Sequence, residues 1–113
     1  MELKPFKVGP ISRLQIARFG CAVRDFNPIH FDDDFARSAG LPSVIAHGPL
    51  TASLVLDGIV AQVGAERLRS MEARFTAPVR PGDELEVTPT ADGVEARNGE
   101  GQVVLVARLQ FVS

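Results

Sequence analysis

The sequence predicts an α+β domain in which an antiparallel sheet wraps one long buried helix. Residues 50–63 carry apolar or small side chains on almost every face of a helix, the pattern of a helix enclosed by other elements. From Met71 the period changes to two, with Met71, Ala73, Phe75 and Ala77 alternating with Glu72, Arg74 and Thr76. Turn signals at Pro81-Gly82-Asp83, Asp92-Gly93 and Asn98-Gly99 then cut the second half into short strands joined by hairpins. A curved sheet closed over a single helix is the economical way to bury both.

In chain order, residues 3–8 read as a short strand that Pro5 confines to an edge, and Gly9-Pro10 breaks it. Ser12 is a good N-cap, and Leu14, Ile16, Ala17, Phe19, Cys21 and Val23 support a helix ending near Arg24. Pro28 stops any continuation and biases Asn27 toward extended geometry, so residues 25–30 form an ordered loop. Asp32, Asp33 and Asp34 cap and charge the first turn of a short helix through Phe35, Ala36 and Ala39, which Gly40 ends. Gly48-Pro49 opens the long helix, with Pro favourable at its first turn, and Gly64 closes it.

The second half reads as a meander of about four strands. Leu85 and Val87 alternate with Glu84, Glu86 and Thr88, and residues 94–97 lie between the two Gly turns. Val103, Leu105, Ala107, Leu109 and Phe111 line one face of the last strand, while Val104 and Val106 open its other face. A strand apolar on both sides is central or covered by a partner, which points to a homodimer whose subunits extend one sheet.

Bulk properties narrow the function classes. The 113 residues suit one domain over 1–113. A net charge of -2 and the absence of Tyr and Trp argue against a nucleic-acid partner. Cys21, the single cysteine, excludes an intramolecular disulfide and fits a reducing compartment. The first seven residues hold no apolar signal core, and the run from Leu50 is too short to span a bilayer. The expectation is a cytoplasmic protein with no membrane partner.

The chemistry concentrates in residues 25–48, which hold both histidines, His30 and His47. Asp25 and His30, held by the stiff Asn27-Pro28 turn, can share the activation of one water. Gly48 at a helix start can bring a backbone N–H to an anionic oxygen. Together they suit acid–base chemistry on a carbonyl compound. Blander roles are weighed beside these: a structural hydrogen bond for His47, capping for the Asp32–Asp34 run in place of a metal site, and an inert core thiol for Cys21. Asp57 is an alternative general base.

Asp25-Phe26-Asn27-Pro28-Ile29-His30, followed by Gly40-Leu41-Pro42 and Ile45-Ala46-His47-Gly48-Pro49-Leu50, resembles the MaoC-like dehydratase family, also called (R)-specific enoyl-CoA hydratases. Phe75-Thr76-Ala77-Pro78-Val79-Arg80-Pro81-Gly82-Asp83 is similar to that family's strand and turn across the domain. The resemblance implies a hot-dog fold and reversible addition of water to a 2-enoyl-CoA or acyl-carrier thioester, with no metal or redox cofactor. It implies Asp25 and His30 as the catalytic pair, with Gly48 and Asn27 as oxyanion and substrate-binding residues. It also implies pairing of subunits. The sequence departs from the family at Arg24, where a small residue, usually Gly, is common, and at Leu56, where some members place a hydroxyl. A hot-dog thioesterase and a subunit that needs a related partner chain are the competing functions.

Overall fold

A helix of residues Gly48–Val63, α3, packs across one face of a five-stranded sheet in the computed structural model, which describes residues 2–113. Met1, counted in the expected domain, lies outside the described residues. Before α3 come the strand β1 (Phe6–Val8), the helix α1 (Arg13–Val23), a 3-10 turn (Pro28–His30) and the short helix α2 (Asp33–Ser38). After it come β2 (Leu68–Phe75), β3 (Leu85–Pro89), β4 (Gly93–Arg97) and β5 (Val103–Phe111). All pairings are antiparallel, and the strand order is β1-β3-β4-β5-β2. This is the hot-dog architecture.

Local chemistry sets the helix ends where the sequence places them. Ser12 Oγ accepts the Gln15 N–H at 3.0 Å and opens α1. Asp32 accepts from Asp34 N and Phe35 N and opens α2. Gly64 stops α3 at a positive φ of 88°, which a residue without a Cβ adopts freely. The β4–β5 hairpin is closed by Asn98, whose Oδ1 accepts from the backbone of Glu100 and Gln102, each at 3.0 Å.

Four expectations are corrected. First, β2 does not neighbour β3 in a meander. It pairs with β5 from Leu68 opposite Phe111 to Phe75 opposite Leu105. Pro78 and Pro81 deny residues 76–84 a tight hairpin, and that segment instead crosses to the helix side, where Ala46 N donates to Val79 O at 2.7 Å. Second, α3 is not enclosed on every face. Its buried stripe recurs every fourth residue (Thr51, Val55, Ile59, Val63), whereas Ser53, Asp57 and Gln62 are exposed.

Third, α1 buries Ile16 and Gly20 and leaves Leu14, Cys21 and Val23 exposed, because only the i, i+4 pair faces the core. Cys21 is thus a surface thiol, not a core one. Fourth, Val104 is fully buried within the chain, so it offers no free apolar face to a partner. Among the described residues, no helix is long and apolar enough to cross a membrane.

Candidate active site

The site begins where α1 ends. Arg24 takes a left-handed conformation, φ 60°, and the turn it makes lets Asp25 N donate back to Gly20 O at 2.9 Å. Left-handed geometry is cheapest for Gly, which is the physical reason a small residue suits this position. Asn27 then holds the loop from both sides. Its N–H donates to Asp25 Oδ1 at 3.3 Å, and its Oδ1 accepts from Ile29 N at 3.2 Å, capping the 3-10 turn that carries His30. The second bond engages the Asn27 side-chain oxygen and leaves Nδ2 as the group it can offer a ligand.

His30 is only 9% exposed. Its Nδ1 lies 2.8 Å from Ile45 O, a carbonyl that can only accept, so Nδ1 carries the proton in the neutral ring and Nε2 keeps a lone pair. That Nε2 stands 3.9 Å from Asp25 Oδ2, on a carboxylate that is half exposed. The gap is too long for a direct hydrogen bond. It suits one water, since two hydrogen bonds of about 2.8 Å each close a triangle over it.

His47 completes the frame. It is 2% exposed and stacks on His30, ring centroids 3.7 Å apart, with the tilted ring of Phe19 centred 5.2 Å away. Its Nε2 lies 3.4 Å from Asp25 O, while its Nδ1 finds no partner among the described residues. Burial pushes its pKa down and the charge His30 can carry pushes it further, against the weaker pull of the Asp25 carbonyl and carboxylate. Gly20 makes this packing possible: a Cβ there would lie 2.8 Å from Phe31 Cζ, 3.0 Å from Asp25 O and 3.2 Å from His47 Cε1.

The neighbouring aspartates brace the site from outside. Asp33 accepts from Val44 N at 2.9 Å and from Arg13 Nη2 at 2.8 Å, tying α2 to α1 and to the segment that delivers His47. The Val44 bond first, and Arg13 second, hold its carboxyl below the usual carboxylate value. Asp34 pairs with Arg37 at 3.2 Å. The run is therefore spent on capping and bracing.

Asp25, His30 and His47 do bring potential ligand atoms within 4.8 Å of one another. Stacked imidazoles, however, aim their lone pairs side by side in separate planes, whereas a metal needs both planes to converge on it. The arrangement favours proton transfer to and from a water.

Next to the stack, a cavity of about 410 Å³ is lined by Ile45, Gly48, Thr51, Phe75 and residues 76–79. Ile45 and Gly48 join it to the histidines, since Ile45 holds His30 and Gly48 follows His47. Asp25 and His30 themselves are not part of its lining. Asp57 is exposed and also lies outside it. A second depression of about 360 Å³, lined by Glu72, Ala73, Arg74, Asp92, Val106 and Arg108, contains none of Asp25, His30, His47 and Gly48. Gly20 and Thr51 were not legible as site residues from sequence. A Gly inside α1 and a Thr beside the helix-opening His-Gly were the available signals.

The sequence pattern of the MaoC like domain matches residues 2–110. A fatty acid synthase subunit beta of Aspergillus oryzae is 42% identical over 77 residues, which is 66% of this chain and 4% of that protein. The 3-hydroxyacyl-thioester dehydratase Y of Mycobacterium tuberculosis is 43% identical over 65 residues, 54% of this chain and 22% of that one. The chain thus spans a minor part of these relatives. Among solved structures, an (R)-hydratase from A. caviae involved in PHA biosynthesis superimposes with a TM-score of 0.78 at 25% identity, covering 96% of this chain and 94% of that chain.

Proposed function

This chain belongs to the MaoC-like domain family, and from that premise we propose that it adds water reversibly to a 2-enoyl thioester, giving a 3-hydroxyacyl thioester. The observation that carries the reading is the Asp25–His30 pair, 3.9 Å apart with the His30 tautomer fixed by Ile45. A water between them can give a proton to one group as its oxygen bonds to the β-carbon. The π electrons move toward the thioester oxygen, and the proton then returns to the α-carbon, so one water is consumed and nothing else. Gly48 N–H, in the first turn of α3 where amides lack intrahelical partners, meets the negative oxygen. Asn27 supports the pair through its turn and offers Nδ2 to the substrate.

The handle is a CoA or acyl-carrier thioester, and the chain acts as one domain over residues 1–113. Two copies pair along β2, an eight-residue strand at the sheet's edge whose outer N–H and C=O groups await a neighbour. The exposed thiol of Cys21 supports a reducing, cytoplasmic setting. Asp25→Asn and His30→Ala each test the reading. Turnover should fall about 10²–10⁴-fold with the circular-dichroism spectrum unchanged, and near-normal turnover in either variant would refute the assignment.

A further inference from the structure

We infer that the Thr51 hydroxyl is a second hydrogen-bond donor to the thioester oxygen, forming with the Gly48 N–H a two-donor site at the start of α3. The inference rests on the hydratase reading and deepens it.

A count of donors at the helix start leads to this residue. Pro49 has no N–H. Leu50 N and Thr51 N both donate back to His47 O, at 3.1 and 3.3 Å. Of the first-turn amides, that leaves the Gly48 N–H for a ligand. Thr51 follows at i+3, on the same helix side, where Cβ positions stand about 5–6 Å apart. It lines the same cavity as Gly48.

Its hydroxyl is also unemployed. Thr51 is 1% exposed, and its Oγ1 has no hydrogen-bond partner among the described residues. A hydroxyl in a helix ordinarily disposes of itself by donating to the carbonyl four residues back. Ser53 does so two positions later, its Oγ 2.8 Å from Pro49 O. Thr51 does not. A buried hydroxyl without a partner lowers stability and calls for a functional reason. A thioester oxygen held at Gly48 supplies one, and its charge grows in the transition state, where a second donor has most effect.

Thr51→Val keeps the shape and removes the donor, so function and stability should move in opposite directions. With a short 2-enoyl-CoA, kcat should fall about 10²-fold, while Tm stays level or rises because an orphaned polar group has gone. Thr51→Ser should retain most of the activity. Wild-type kcat in Thr51→Val would overturn the inference. So would a loss of Tm in step with a loss of activity, which marks a structural hydroxyl. Binding of butyryl-CoA, which cannot be hydrated, separates the two levels of the argument. If wild type hydrates no enoyl-CoA yet binds butyryl-CoA more tightly than Thr51→Val does, the hydratase reading fails and the two-donor site stands.

Discussion

His30 and His47 lie face to face, ring centroids 3.7 Å apart and planes inclined by 23°. The stack fixes the plane of His30, whose edge is already held by Ile45 O. It also disfavours a second charge at His47, because two stacked imidazoles resist carrying charge together. For His47, the more buried ring, burial first and the neighbouring His30 ring second push the pKa below its ordinary value.

Stability should therefore fall in mild acid. The folded His47 value lies below the ordinary 6.5, so within that window the unfolded chain binds a proton that the native chain does not. Its contribution is present in full above the unfolded value and is lost as pH falls through the folded one. His30, Phe19 and the Asp25 carbonyl and carboxylate are the groups that face it. Tm measured from about pH 8 to about pH 5 should drop more steeply in wild type than in His47→Asn. Parallel curves would contradict this account of the ring.

Arg24→Gly should stabilise the protein by about 1 kcal/mol, the net of a relieved left-handed residue against a more flexible unfolded chain. Arg24 is exposed, and among the described residues its side chain has no hydrogen bond or ion pair to lose. Urea titration of the two proteins measures the difference. A destabilised variant would mean that the arginine side chain has a role its backbone does not explain.

Gly48→Val should lower turnover about 10²-fold by blocking the approach to the helix start. A Cβ at Gly48 would lie 2.8 Å from the ring of Phe75, which is 48% exposed and can swing aside. Tm should therefore stay close to the wild-type value while turnover falls. If Gly48→Val alone is stable and fully active, Gly48 is not part of the site.

Features that depend on near neighbours in the chain were legible in the sequence. Ser12, Asp32 and Gly64 act within a few residues of themselves, and so does the Asn27 turn that joins Asp25 to His30. Features that depend on which face meets which partner were not. The apolar residues Leu14, Cys21 and Val23 look like core but fall on the outer side of α1, and Val104 looks free but is buried. The pairing of β2 with β5 needs the crossing of residues 76–84, which local pattern does not encode. His47, Gly20 and Thr51 acquire their places only when α1, the loop and α3 close on one another.

The account stands most directly on what the purified chain does to a 2-enoyl-CoA when the conjugated double bond and free thiol are followed together. Hydration removes the enone absorbance as water adds across the bond and leaves the thioester whole. The predicted result is loss of that absorbance with no thiol released, dependent on Asp25 and His30. Thiol release at the same rate, or an unchanged spectrum with every acyl length from a chain confirmed as folded and paired, would contradict it.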